Sequence, residues 1–300
     1  MLLRRSAVAV VTAAALLALG GCSGAPSQTP GAGRLDVVAA FYPLAYAVER
    51  VGGEHVTVAS LTKPGAEPHD VELTPKDLAS LTSARLVVYL TGFQPAVDDA
   101  VAATAQTPSL DVSTAAALTA AAGEPGGAKD PHFWLDPQRY REVVSAVADR
   151  LAELDAAHAA AYRANAAAFG TELTALDAEF TAGLRTCESR DLVTSHAAFG
   201  YLTERYDFTQ RSIAGLSPDA EPDAASMTSI VAAVRAQGVR TIYSETLVDP
   251  ALAETIARET GASVAVLDPI EGVTDRSAGR TYLEIMRSNL RTLVAGQRCS

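Results

Sequence analysis

The sequence predicts an α/β fold of two lobes, each built on a parallel sheet, with long helices between them. Two observations carry this. On both sides of the chain's middle, short β-branched runs alternate with stretches of helical spacing, the pattern of βαβ units. Between those halves, from Asp136 to Leu184, apolar residues recur at helical spacing. A length of 300 residues suits one large domain or two modest ones, and either buries an adequate core. With 48% apolar and 20% charged residues, the composition is that of a folded protein rather than a disordered one. The 24 basic residues face 35 acidic ones, and no basic cluster lies beyond the N-terminus, which argues against a nucleic-acid partner.

The chain opens with two arginines in Met1–Arg5 and an apolar run from Ala7 to Leu19. A basic start, a short apolar core and small residues before a cleavage point describe a secretory signal. The segment Leu19-Gly-Gly-Cys22 resembles the bacterial lipobox. It predicts a signal peptide over residues 1–22, with Cys22 as a lipidated N-terminus. Residues 23–33, rich in Gly, Ser and Pro, read as a flexible tether. The working protein is therefore expected at the extracytoplasmic face of the cell membrane, held to its surface by a lipid anchor. With Cys22 lipidated, Cys187 and Cys299 form an even pair in an oxidising compartment. A disulfide between them is expected, two buried free thiols being the alternative.

Strands are predicted at Leu35–Phe41, Val56–Leu61, Leu86–Leu90 and Ser109–Val112, with helical spacing at Leu44–Val51, Pro75–Leu81 and Pro95–Ala103. In the second half, strands at Asp191–Thr194, Thr241–Ser244 and Ser263–Leu267 accompany helices near Ala224–Gln237, Pro250–Thr260 and Thr281–Ala295. Asp136-Pro137 is a helix start, an N-cap followed by proline in the first turn. Tyr140, Val143, Val144, Val147, Leu151 and Leu154 follow at helical spacing. Asp155 can cap a second helix on which Tyr162, Ala166, Phe169, Leu173, Leu176, Phe180 and Leu184 share a face. The expected organisation is an N-terminal lobe over 34–155, a linking helix over 156–184 and a C-terminal lobe over 185–300.

The chemistry-bearing candidates are histidines at strand ends. Of five histidines, His69, His132 and His196 sit in similar surroundings: Pro64-Gly-Ala-Glu-Pro-His-Asp70, Asp130-Pro-His-Phe-Trp-Leu-Asp-Pro137 and Thr194-Ser-His-Ala-Ala-Phe-Gly-Tyr201. A carboxylate joins them at Leu267-Asp268-Pro269, closing a strand. Ligands of open α/β sheets bind at the carboxyl ends of strands, so the four would converge between the lobes. Three imidazoles and one carboxylate are borderline donors suited to Zn2+ and tolerant of Mn2+. Taken singly, Asp268 also reads as a turn acceptor, and His55 and His158 as background. Phe133 and Trp134 read as packing at a helix entry. Neither a phosphate-cradling glycine loop nor a Gly-x-Ser-x-Gly elbow is present.

These motifs resemble the metal-binding receptors, solute-binding lipoproteins, of bacterial zinc and manganese ABC transporters. The likeness extends to Gly215-Leu-Ser-Pro-Asp-Ala-Glu-Pro222 and to the Tyr282…Met286…Asn289-Leu290 ending, and so covers nearly everything after the tether. It implies two Rossmann-like lobes joined by a long rigid helix, with the metal between them and handed on to a membrane permease. By motif position it implies that His69, His132, His196 and Asp268 are ligands. Glu245 matches a recurrent family acid and is expected to support a ligand rather than to be one. His196 stands where manganese receptors tend to carry a carboxylate, which tilts the expectation from Mn2+ toward Zn2+. The stretch Thr119–Lys129, where many zinc receptors carry a histidine-rich loop, has no histidine here. The expected protein is a monomer and not an enzyme. A secreted zinc hydrolase with a bound water is the rival reading, and an adhesin role could coexist with transport.

Overall fold

The alternation of strands and helices folds into two separate sheets, each of four parallel strands. The first runs in the order β2-β1-β3-β4 and the second β6-β5-β7-β8. The computed structural model describes residues 33–121, 127–220 and 222–300. The signal peptide, Cys22 and the tether to residue 32 lie outside the described residues, as does the middle of the histidine-free stretch.

In the first sheet, β1 (Leu35–Ala39) is flanked by β2 (Val56–Ser60) and β3 (Leu86–Tyr89), with β4 (Ser109–Asp111) at the edge. The central strands are nearly continuous apolar runs because helices cover both their faces. Helices α1 (Tyr42–Gly52), α2 (Pro75–Ser83) and α3 (Pro95–Ala103) make the crossovers, each with proline in its first turn. Thr74 and Asp77 close a reciprocal cap at the start of α2.

The second sheet comprises β5 (Asp191–Thr194), β6 (Thr209–Ser212), β7 (Thr241–Ser244) and β8 (Ser263–Val266). Its helices are α6 (Gly200–Tyr206), α7 (Ala224–Gln237), α8 (Ala251–Thr260) and α9 (Tyr282–Gly296). Two of these elements were not anticipated. β6 is the tetrapeptide Thr-Gln-Arg-Ser on an open edge, so no apolar alternation marks it, and α6 is only seven residues long. Gly238 (φ 64°) and Gly261 (φ 78°) end α7 and α8 in the left-handed conformation that favours glycine.

Two long helices run between the sheets. In α4 (Pro137–Leu154) the Asp136 carboxylate caps the Gln138 N–H at 2.9 Å, as its sequence suggested, and the anticipated valines and leucines face inward. α5 (Ala159–Gly183) buries Tyr162, Ala166, Phe169, Leu173, Leu176 and Phe180. At 1.5 Å per residue its 25 residues span about 38 Å. A 3-10 turn at Ala156–His158 precedes it. Asp155 does not cap the backbone there; its carboxylate accepts instead from His158 Nδ1 (2.6 Å) and the Tyr162 hydroxyl (2.7 Å).

Ion pairs fasten α5 to both lobes. Arg50 of α1 pairs with Glu172, and Arg287 of α9 holds Glu179 through two nitrogens, each at 2.9 Å. The main apolar core is also continuous, running from β1 and α1 through α4 and α5 to α9. A smaller cluster around Val193, Ile242 and Ile256 fills the outer side of the second sheet.

Cys187 and Cys299 are joined in a disulfide across 112 residues of sequence. Chain-entropy arguments give such a closure about 5 kcal/mol at most, with measured values more often about 2–4 kcal/mol. Reduction is therefore expected to lower the melting temperature by several degrees without changing the far-ultraviolet circular dichroism. Identical melting curves with and without reductant would show that the bond does not constrain the unfolded chain.

Candidate metal centre

Each candidate histidine leaves the carboxyl end of a strand or the segment that follows one. His69 lies in the turn-rich stretch after β2, His132 in the segment between β4 and α4, and His196 two residues beyond β5. Glu271 comes, like His196, from the second lobe, five residues beyond β8. One donor atom from each of these four residues lies within 4.8 Å of every other. His132, His196 and Glu271 are fully buried, and the His69 side chain is 10% exposed.

The distances carry chemical information. Glu271 Oε1 lies 3.0 Å from His132 Nε2, 3.3 Å from His196 Nε2 and 3.4 Å from His69 Nε2. The Nε2 atoms of His132 and His196 are 3.4 Å apart. A tetrahedron with bonds of about 2.0–2.1 Å has edges of about 3.3–3.4 Å. The second oxygen of Glu271 is buried without a hydrogen-bond partner, so the protein does not use up that carboxylate's capacity.

Carboxylates behind two of the rings fix their orientation. Asp130 Oδ1 accepts from His132 Nδ1 at 2.7 Å and from the His132 backbone N–H at 2.9 Å. Glu245 Oε2 accepts from His196 Nδ1 at 2.6 Å, while its Oε1 accepts from the His196 backbone N–H at 3.0 Å. With Nδ1 donating outward, the Nε2 lone pair is left facing the centre. Among the described residues no carboxylate accepts from His69 Nδ1; Glu67 accepts only from its backbone N–H, at 3.0 Å, and the Phe93 ring meets the imidazole edge-on at 4.6 Å. Gly200 is part of this construction, because a Cβ there would lie 2.4 Å from Asp130 Oδ2.

Charge balance follows from burial. Burial pulls the His132 and His196 imidazoles down, but the carboxylates around them outweigh it, holding His132 above the ordinary range and His196 well above it. Burial would raise the Glu271 carboxyl, yet the three imidazoles hold it well below the usual carboxylate range. His69, whose Nδ1 lacks such an acceptor, is lowered by burial.

Asp268, the carboxylate expected from sequence, is not in the cluster. It is buried one turn away, where Oδ1 accepts from the Ile270 N–H at 2.8 Å. Ile270 then takes φ 59°, and the side chain that this turn swings into the centre is Glu271. The turn-acceptor reading describes Asp268; the group facing the histidines is three residues further on. Asp130 stood inside a recognised motif, where its i, i+2 spacing to His132 was the available signal.

A family described as zinc-uptake complex component A, periplasmic (ZnuA), matches residues 37–296. Zinc-binding protein AdcA of Streptococcus pyogenes is 35% identical over 291 residues, covering 89% of this chain and 56% of that protein. The chain thus spans just over half the length of the AdcA relatives it matches. The high-affinity zinc uptake system protein ZnuA of Bacillus subtilis is 30% identical, covering 94% of this chain and 95% of that one. Among solved structures, the laminin-binding protein Lmb of Streptococcus agalactiae superposes with a TM-score of 0.80 at 32% identity, covering 88% of this chain and 99% of that one. Zn(II)-bound AdcA of Streptococcus pneumoniae gives 0.77 at 31%, covering 88% and 58% respectively.

The Asp268 turn has a measurable signature. Burial pushes its carboxyl from an ordinary 3.8 up to about 6. A group raised on folding contributes stability that is present below its unfolded pKa and lost as pH rises through the folded one. Between 3.8 and about 6, at about 1.4 kcal/mol per pH unit, that loss has an upper bound of about 3 kcal/mol. Asp268→Asn keeps the acceptor for Ile270 and removes the titration. The melting temperature of the variant relative to wild type is expected to rise between pH 4 and pH 8; a constant difference would contradict this account.

Proposed function

Because this chain belongs to the zinc-uptake component A family, we propose that it captures Zn2+ outside the cytoplasm and delivers it to the membrane permease of an ABC importer. The observation that carries the reading is the donor set, three imidazole nitrogens and a carboxylate oxygen, four of whose mutual contacts at 3.0–3.4 Å lie close to the edges of a zinc tetrahedron. The ligands we assign are His69, His132, His196 and Glu271. Asp130 and Glu245 hold two of the imidazoles in the tautomer that binds metal.

Zinc is the cargo. The buried walls of the site are His132, His196 and Glu271, and His69 stands at the side nearest solvent. Four protein donors complete a tetrahedron and leave no position for an activated water, which favours carriage over hydrolysis. Three nitrogen donors in a small closed cage favour Zn2+ over Mn2+, which prefers oxygen-rich octahedral sites. Affinity should weaken in acid, since the imidazoles must be deprotonated to bind.

Competitive Zn2+/Mn2+ titration of the soluble chain from Ser23 onward tests the reading. Wild type should take up about one equivalent of zinc and keep it against excess manganese. Asp130→Asn or Glu245→Gln should each cost about 10–100-fold in affinity. Glu271→Ala should cost more than either, while Asp268→Asn retains the site. Preference for manganese would overturn the metal, and zinc binding indifferent to Glu271→Ala would overturn the site.

We further infer that the protein acts as a monomer anchored through lipidated Cys22. Cys22→Ser should move it from the membrane fraction to the soluble one; unchanged membrane retention would remove the anchor.

A further inference from the structure

Trp134 is the single tryptophan of the chain, and its indole joins two ligand-bearing segments that come from opposite lobes. It lies two residues after His132, fully buried in the 3-10 turn Phe133–Leu135. Its ring meets the His132 imidazole at 5.4 Å between centroids and 63° between planes. Its Nε1–H donates to the carbonyl oxygen of Pro269 at 2.7 Å.

Pro269 belongs to the turn that presents Glu271, and that turn runs against local preference. Ile270 is β-branched and buried, yet sits at φ 59°. Such a residue stays in left-handed backbone only where its surroundings over-determine it. Ile270 N–H donates to Asp268 Oδ1 at 2.8 Å. Asn289 of α9 clamps the Asp268 backbone on both sides, accepting from its N–H at 3.0 Å and donating to its carbonyl at 2.6 Å. Those restraints all arise within the C-terminal lobe. The Trp134 bond reaches the backbone of this turn from the segment that carries His132, whose own Nε2 meets the Glu271 side chain at 3.0 Å.

We propose that the Trp134 indole N–H is a positioning group for the metal site. By holding the Pro269 carbonyl it keeps Ile270 in left-handed backbone, and so keeps Glu271 Oε1 against His132 Nε2. The inference rests on the zinc reading above and assigns Trp134 no contact with the metal. It makes the fourth ligand's placement depend on the second ligand's segment, so the two move together rather than separately.

Trp134→Phe deletes the donor while leaving an aromatic ring against Phe41, Phe93 and His132. Tyr282→Phe is the control: it removes another buried bond, from the Tyr282 hydroxyl to the Trp134 carbonyl (2.6 Å) in the 3-10 turn, without touching Pro269. Each protein is loaded with Co2+ for its visible ligand-field spectrum, and with Zn2+ for the rate of transfer to a chelator. Trp134→Phe should change the cobalt spectrum and release zinc about tenfold faster. Tyr282→Phe should lower the melting temperature but keep the wild-type spectrum and release rate.

A wild-type spectrum and release rate in Trp134→Phe, or equal changes in both variants, would overturn the proposal. Should Trp134→Phe not fold, the lone indole of wild type still reports. Its N–H hydrogen exchange, followed by nitrogen-15 nuclear magnetic resonance, should quicken several-fold when zinc is removed, and indifference to zinc would overturn the coupling. Wild type that takes up neither zinc nor cobalt would defeat the functional reading as well. Zinc-competent wild type with an indifferent variant would defeat this proposal alone.

Discussion

Three imidazoles and a carboxylate buried in one place impose a severe electrostatic demand, and much of the structure answers it. Taking these groups out of water is costly unless each finds a partner and the charges balance. The surrounding carboxylates hold His132 and His196 above the ordinary imidazole range, and the imidazoles in turn hold Glu271 well below the usual carboxylate range. Asp130 and Glu245 then do two things together. They supply compensating charge from behind, and they dictate which nitrogen of each ring faces inward. A dication entering such a cage replaces protons, so its hold is tied to pH through the same groups that orient the ligands.

Keeping four donors at contact distance requires the lobes to hold their spacing. α5 provides it by being clasped from both sides, at Glu172 by Arg50 and at Glu179 by Arg287. The continuous apolar core works in the same direction, since opening the lobes as rigid shells would expose buried aromatic surface from Tyr46, Tyr140, Phe169 and Tyr282. Tyr282 also binds the Trp134 carbonyl, and Asn289 clamps Asp268, so α9 touches the surroundings of both His132 and Glu271.

Much of this was legible in the chain. His69, His132 and His196 could be singled out because each stands in a short motif at or after a strand end, where parallel sheets gather their ligands. The inward faces of the two long helices were legible too, from apolar spacing alone. The fourth donor was not. Asp268 occupies the position at the strand end that pattern reasoning favours, but its Oδ1 accepts from the Ile270 N–H and the residue stands outside the donor cluster. Only a backbone excursion to φ 59° at a β-branched residue, which propensity argues against, brings Glu271 inward. β6 was hidden for a different reason: a four-residue polar edge strand is stabilised by its pairing to β5, not by any pattern of its own. In both cases tertiary contacts overrode local preference.

The bond between Cys187 and Cys299 has a mechanical meaning. It closes residues 187–299 into a covalent ring that includes β5 to β8, α9 and Glu271. Tension applied between the N-terminal lobe and Ser300 would enter at Cys187 and leave through Cys299, bypassing everything between. The C-terminal half of the metal site therefore lies outside the force path, and stretching would load α5 and the first lobe instead.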